Sequence, residues 1–280
     1  MTPLSKPIVF FGTDDFSVSA LEHLIAAGYP VVAVVTKPDS RSGRGQHLTD
    51  IETVIAQIGD CVGILSSYGR IVPQKIIDLF NPGIINIHPS LLPKYRGPSP
   101  VETAIYDGVT ETGVSLMLLT AAMDAGPVYA QATYPLTGHE TQPELERALA
   151  DLGSSLLIHN LPHILDGTLL PQPQDDALAT YTKMLSKDDS RVEPLQMSAA
   201  QLARKVRAHV GFPKTKITLS GGQTAIVTRA SDGDVPQTPL DVVCADERYL
   251  IIEELVAPTG RRLSATDWIN GYGRPDKLST

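Results

Sequence analysis

Apolar and polar positions divide the chain into two kinds of pattern. In the first part, short apolar runs alternate with stretches of helical period. Pro7 to Phe11, Val31 to Thr36, Cys61 to Ser66 and the run from Ile84 to Ile87 read as strands, and Phe16 to Ala27, Asp50 to Ile58 and Pro73 to Phe80 as helices. Val18, Leu21, Leu24 and Ile25 supply the apolar positions of the first helix, and Thr13, Asp14 and Asp15 offer side-chain oxygens to its opening N–H groups. This β-α-β order predicts a doubly wound, mostly parallel sheet with right-handed crossovers. Further on, Val101 to Tyr106 predicts a helix, and Thr112 to Leu119 and Val128 to Tyr134 predict strands. Gln142 to Leu165 predicts a long helix, bent or interrupted around Leu152 and Gly153 and ended by Pro162 or Gly167.

Beyond Gln172 the pattern changes. Residues 172–189 are polar and rich in Pro, Asp and Ser, as in a linker. Ser198 to His209 predicts an amphipathic helix with Leu202 and Val206 inward and Arg204, Lys205 and Arg207 outward. Short alternating segments then follow, separated by turn residues, which is the spacing of a small β-barrel. The expected organisation is an α/β domain over residues 1–174, a linker over 175–197 and a smaller C-terminal β-barrel domain over 198–280.

Composition narrows the class. With 42% hydrophobic and 19% charged residues the chain reads as soluble and globular, with no apolar run near the ~20 residues of a membrane helix. The opening residues lack a signal-peptide pattern, so the expected location is the cytoplasm. Cys61 and Cys244 have neither disulfide nor metal-ligand spacing. A net charge of -8 argues against a generic nucleic-acid binder. That average hides an asymmetry: residues 1–197 carry 12 basic and 22 acidic side chains, whereas 198–280 carry 11 and 9.

The chemistry concentrates in Ile84 to Pro100, IINIHPSLLPKYRGPSP. Asn86 and His88 share one face of a strand. An amide that donates and an imidazole that donates or accepts can together hold an oxygen on which negative charge develops; the bland alternative is a satisfied core histidine. Asp124, in the loop from Thr120 to Gly126, is either a proton acceptor or a turn residue. Arg96, beside Gly97, is either an anion ligand or a solvated loop residue, and no role is assigned to it. Gly12 stands alone in the first turn, so the three-glycine dinucleotide fingerprint is absent.

The run from Asn86 to Gly97 resembles the N-x-H-x-S-x-L-P-x-x-R-G signature of the formyltetrahydrofolate-dependent formyltransferases, and Asp124-Ala125-Gly126 matches their D-x-G. The resemblance implies 10-formyltetrahydrofolate as formyl donor, no metal, and Asn86, His88 and Asp124 as catalytic residues. It further implies contact of Ser90, Leu91, Leu92 and Pro93 with the folate, and a pterin pocket lined by Tyr68, Gly69, Arg70 and Ile71. TYTKMLSKDDS, from Thr180, is similar to the linker of those members whose acceptor is initiator methionyl-tRNA. The implied acceptor is that tRNA, held by Arg41 and Arg44 and by Arg204, Lys205, Arg207, Lys214 and Lys216, on a monomeric enzyme with no obligatory protein partner. The enzymatic alternative is an amino sugar linked to a nucleotide. Two departures stand out. The segment after His47 has room for one helix where the family has a helix and an edge strand, and Gly211-Phe212-Pro213 replaces the family's Pro-Trp-Pro.

Overall fold

The computed structural model describes residues 6–37, 48–219 and 224–272. In chain order the first elements are β1 (Ile8–Phe11), α1 (Asp15–Ala26), β2 (Val31–Val35), α2 (Leu48–Ile58), β3 (Val62–Ser66), α3 (Gln74–Ile77) and β4 (Ile84–His88). They are followed by α4 (Pro100–Asp107), β5 (Glu111–Leu118), β6 (Val128–Pro135) and α5 (Gln142–Leu165). Then come α6 (Ala199–Ala208), β7 (Thr215–Thr218), β8 (Thr224–Gly233), β9 (Val242–Val243), β10 (Tyr249–Val256), β11 (Arg262–Ser264) and α7 (Ala265–Tyr272). The chain divides into two compact units, residues 1–100, 111–135 and 146–182, and residues 101–110, 136–145 and 183–280. The division at Thr182 falls inside the segment read as a linker.

The first unit holds a six-stranded sheet of order β2-β1-β3-β4-β5-β6, parallel from β2 through β4 and antiparallel from β4 through β6. Every residue of β1, β3 and β4 is buried, in keeping with their unbroken apolar runs. The strand order reverses between β1 and β3, so their carboxyl ends open the crevice in which such sheets place ligands. Only α2 separates β2 from β3 among the described residues.

Two expectations change here. Helix α1 is capped by Asp14, whose carboxylate accepts from Ser17 N, but the face it buries is Phe16, Ala20 and Leu24; Val18 and Ile25 are exposed. Helix α5 runs unbroken past Gly153 and contains Pro162. Gly153 serves close packing there: a Cβ would meet Ile87 Cγ2 at 2.7 Å and Val114 Cγ1 at 3.0 Å.

In the second unit β11-β10-β8-β7, with β9 on β10, form a curled antiparallel sheet, the smaller C-terminal β unit the pattern predicts. Helix α6 is opened by a capping box between Ser198 and Gln201, and packs Leu202, Ala203 and Val206 into the core. Helix α7 is absent from the sequence reading. Its signal was the i, i+3, i+4, i+7 spacing of Ala265, Trp268, Ile269 and Tyr272, which pack in or against the same core.

Candidate active site

Strand β4 carries Asn86 and His88 on one face at its carboxyl end, the two residues 6% and 5% exposed. Leu65 on one side and Met117 on the other pair with Asn86, and Ser115 pairs with His88, so the strand is fixed along both edges. The Asn86 amide makes no hydrogen bond among the described residues, which leaves it free to receive a ligand oxygen. His88 is held: Nε2 lies 3.0 Å from the Tyr95 carbonyl oxygen, an acceptor only, so the proton sits on Nε2. Its Nδ1 faces Asp124 Oδ1 at 3.8 Å.

Asp124 sits in a loop at a positive φ of 49°. Its Oδ2 accepts from Gly97 N at 2.8 Å, which leaves Oδ1 for His88. Each glycine of the two sequence signatures has a steric reason. A Cβ on Gly126 would lie 1.8 Å from the Leu118 carbonyl oxygen, and one on Gly97 would lie 2.8 Å from the Thr182 carbonyl oxygen at a φ of 113° that L side chains rarely adopt.

Ser90 to Pro93 leaves β4 as a pinned loop. Ser115 Oγ donates to the Ser90 carbonyl at 2.6 Å and accepts from Leu92 N and from Gln131 Nε2, which also donates to the Leu92 carbonyl. A Cβ on Gly113 would meet Leu91 Cδ2 at 2.6 Å, so Leu91 lies across β5 where that strand has no side chain. Ser115 and Gln131 are functional neighbours that sequence reasoning missed, since neither belongs to a local pattern. Tyr68 to Ile71 follow β3 at the switch point, with Tyr68 buried, Gly69 and Arg70 exposed, and Thr13 Oγ1 donating to the Tyr68 carbonyl at 3.1 Å. Ile71 is 82% exposed, an unusual position for its type and one suited to a ligand-facing loop.

Arg96 is neither solvated nor open to a ligand: it is 2% exposed. Its Nε and Nη2 donate to Gln174 Oε1 at 3.0 and 2.8 Å, its Nη2 donates also to Asp176 Oδ1 at 2.7 Å, and Nη1 reaches the Tyr181 hydroxyl at 3.4 Å. Burial opposes its charge, and the bonds to Asp176 and Tyr181 more than offset that, leaving its pKa above the ordinary value. The backbone joins in, with Arg96 N donating to the Thr180 carbonyl and Thr182 N to the Arg96 carbonyl. Residues 174–182, within the segment read as a linker, are therefore a strap bonded along the loop after β4.

Of the two basic elements expected to hold an acceptor, the structure describes only the C-terminal one. Arg41 and Arg44 lie outside the described residues. Arg204, Lys205 and Arg207 are half-buried rather than outward. Arg204 Nε donates to the Tyr106 carbonyl at 2.9 Å, and Arg204 and Arg207 line a cavity of about 290 Å³ with Gly108, Glu140 and Asp232. Burial, and then the neighbouring Arg204, hold the Arg207 pKa below its usual value; burial lowers that of Lys205. Lys214 and Lys216 are exposed at β7. No group of three or more metal-ligating side chains occurs among the described residues, and none of their helices is long and apolar enough to cross a membrane.

The site thus groups an amide and an imidazole on one buried strand end with a carboxylate from the loop between β5 and β6, on a doubly wound sheet. Residues 6–161 match the formyl transferase family and 184–273 match the formyl transferase C-terminal domain. A methionyl-tRNA formyltransferase of Roseiflexus castenholzii is 37% identical, with 96% of each chain covered. The chain belongs to the formyl transferase family. Among solved structures, HypX from Aquifex aeolicus in complex with tetrahydrofolic acid superposes with a TM-score of 0.71 at 18% identity, over 95% of this chain and 47% of that one. Methionyl-tRNA formyltransferase from Clostridium thermocellum does so with a TM-score of 0.61 at 20% identity, over 81% of this chain and 93% of that one. At these identities the structures attest the shared fold.

Proposed function

We propose that the chain transfers a formyl group from 10-formyltetrahydrofolate to the amino group of initiator methionyl-tRNA. The observation that carries the reaction is the grouping of Asn86, His88 and Asp124, with an unpartnered buried amide beside an oriented imidazole and carboxylate. The acceptor rests on the near full-length similarity to proteins named methionyl-tRNA formyltransferase. The donor rests on the family match, on the likeness to a tetrahydrofolate complex, and on the pinned loop from Ser90 to Pro93 beside the turn from Tyr68 to Ile71.

In this reading the acceptor amine attacks the formyl carbon, and Asn86 donates to the oxygen that takes up negative charge. His88 Nε2 is engaged by Tyr95, so the ring offers its second hydrogen bond from Nδ1, which carries a proton only in the imidazolium. Asp124 accepts the proton that the amine nitrogen sheds. The carbon–nitrogen bond to the folate then breaks and its nitrogen takes up a proton, returning the carboxylate. Arg41, Arg44, Arg204, Lys205, Arg207, Lys214 and Lys216 are proposed to hold the tRNA, with Lys214 and Lys216 the most accessible of those described. Incubation with 10-formyltetrahydrofolate and charged initiator tRNA, followed by ester hydrolysis, should release N-formylmethionine. Formylation of nucleotide-linked amino sugars in its place would overturn the acceptor.

A further inference from the structure

We propose that Arg96 and Gln174 are positioning residues that hold Asp124 in its reactive pose and so set the rate of turnover, a role that rests on the formyl-transfer reading above. The chain of contacts is short. Arg96 places two N–H groups on Gln174 Oε1, and Gln174 Nε2 then donates to the carbonyl oxygens of Asp124 and Gly126 at 2.8 and 2.7 Å. The amide has one workable orientation. Reversed, it would present its NH2 to the guanidinium and its oxygen to two carbonyls, with like groups facing each other at both ends.

The clamp acts where the backbone needs it. Asp124 sits at a φ of 49°, uncommon for a residue with a Cβ although aspartate adopts it more readily than most, and the two carbonyls that bracket Ala125 are fixed by the two hydrogens of one amide. The same loop after β4 meets Asp124 from the other side through Gly97 N. Arg96 and Gly97 thus fix main chain and carboxylate together, and Oδ1 is left facing His88. A guanidinium suits this position because it fills a buried site, forks onto one oxygen and still reaches Asp176 and Tyr181. Lysine has one nitrogen for these contacts.

The side-chain bonds of Arg96 and Gln174 go to each other, to Asp176 and Tyr181 and to the main chain at Asp124 and Gly126, so their loss should leave substrate affinity alone and slow the chemical step. The test uses Gln174→Glu in the full chain, because Arg96→Lys leaves buried groups unpaired and can fail to fold. Glutamate keeps the shape and the Arg96 pair but sets a carboxylate oxygen against the two carbonyls. Expected results are a fall in kcat of at least about 10-fold with KM for donor and acceptor within about twofold, and faster hydrogen exchange at Gly97 N. In a double-mutant cycle, adding Gln174→Glu to Asp124→Ala should cost no further rate, because the clamp acts through the missing carboxylate. Unchanged kcat and Gly97 exchange in Gln174→Glu, or independent losses that multiply in the double variant, would overturn the proposal. Wild-type protein inert toward charged initiator tRNA would instead contradict the functional reading, and the Gly97 exchange rate would then decide the clamp by itself.

Discussion

His88 Nδ1 and Asp124 Oδ1 face each other at 3.8 Å, each with its other polar atom already bonded to backbone: His88 Nε2 to the Tyr95 carbonyl, Asp124 Oδ2 to Gly97 N. The two remaining atoms thereby face one another. Such pre-orientation matters because donors already in place stabilise developing charge without reorganisation during the reaction. It also explains why histidine and aspartate 36 positions apart in sequence face each other, since both are tied to the same Tyr95–Gly97 loop.

The glycine of the Asp124-Ala125-Gly126 run is needed for space. Gly126→Ala should displace the loop or the Leu118 carbonyl, costing roughly 1–3 kcal/mol of stability as other overpacking changes do. It should also lower kcat by moving Asp124. Thermal unfolding beside steady-state rates checks this, and Ala125→Gly is the comparison that leaves the close approach intact.

His209 predicts a pH effect on stability. The ring is buried with Nδ1 unpartnered, near Lys205, Asp189 and Lys183; burial first, then Lys205, lowers its pKa from 6.5 to about 4. A histidine held neutral in the folded state contributes fully above the unfolded pKa. As pH falls from about 6.5 toward 4, the unfolded chain binds the extra proton and stability drops, by up to about 3 kcal/mol. Denaturant unfolding of His209→Gln should lose that acid slope, and the wild-type ring should titrate near 4 by NMR.

Acceptor binding should depend on salt. Each phosphate contact removed lowers the slope of log K against log salt by about 0.7 to 0.9. Lys214→Ala with Lys216→Ala, and Arg41→Ala with Arg44→Ala, should each weaken binding of charged initiator tRNA and flatten the slope, with folate affinity unchanged. A salt-independent affinity, insensitive to both pairs, would contradict the tRNA assignment.

Much of this was legible in the sequence because it is written locally. Strand β4 with Asn86 and His88, the turn after β3, and the Asp124 loop each carry a short pattern of residue types that maps directly onto a strand end or turn. What was not legible depends on partners distant in the chain. Arg96 reads as an anion ligand or a solvated loop residue until Gln174, Asp176 and Tyr181 are seen to bond it in the interior; Gln131 and Ser115 gain meaning only by meeting the loop from Ser90 to Pro93. Gly153 looks like a helix break because the sequence does not reveal that Ile87 and Val114 press against that turn of α5. The polar composition of residues 172–189 reads as a linker and does not reveal that 174–182 bond to another loop, since such hydrogen bonding needs no apolar signature.

The measurement that tests the account most directly is single-turnover formylation of charged initiator tRNA by Asn86→Ala, His88→Ala and Asp124→Ala, beside circular dichroism and donor binding. Each change removes an interaction placed at the reacting centre, so each should slow transfer by at least about 100-fold while fold and folate affinity persist. Near-normal transfer by any two of the three correctly folded variants would contradict the assignment of catalysis to this site.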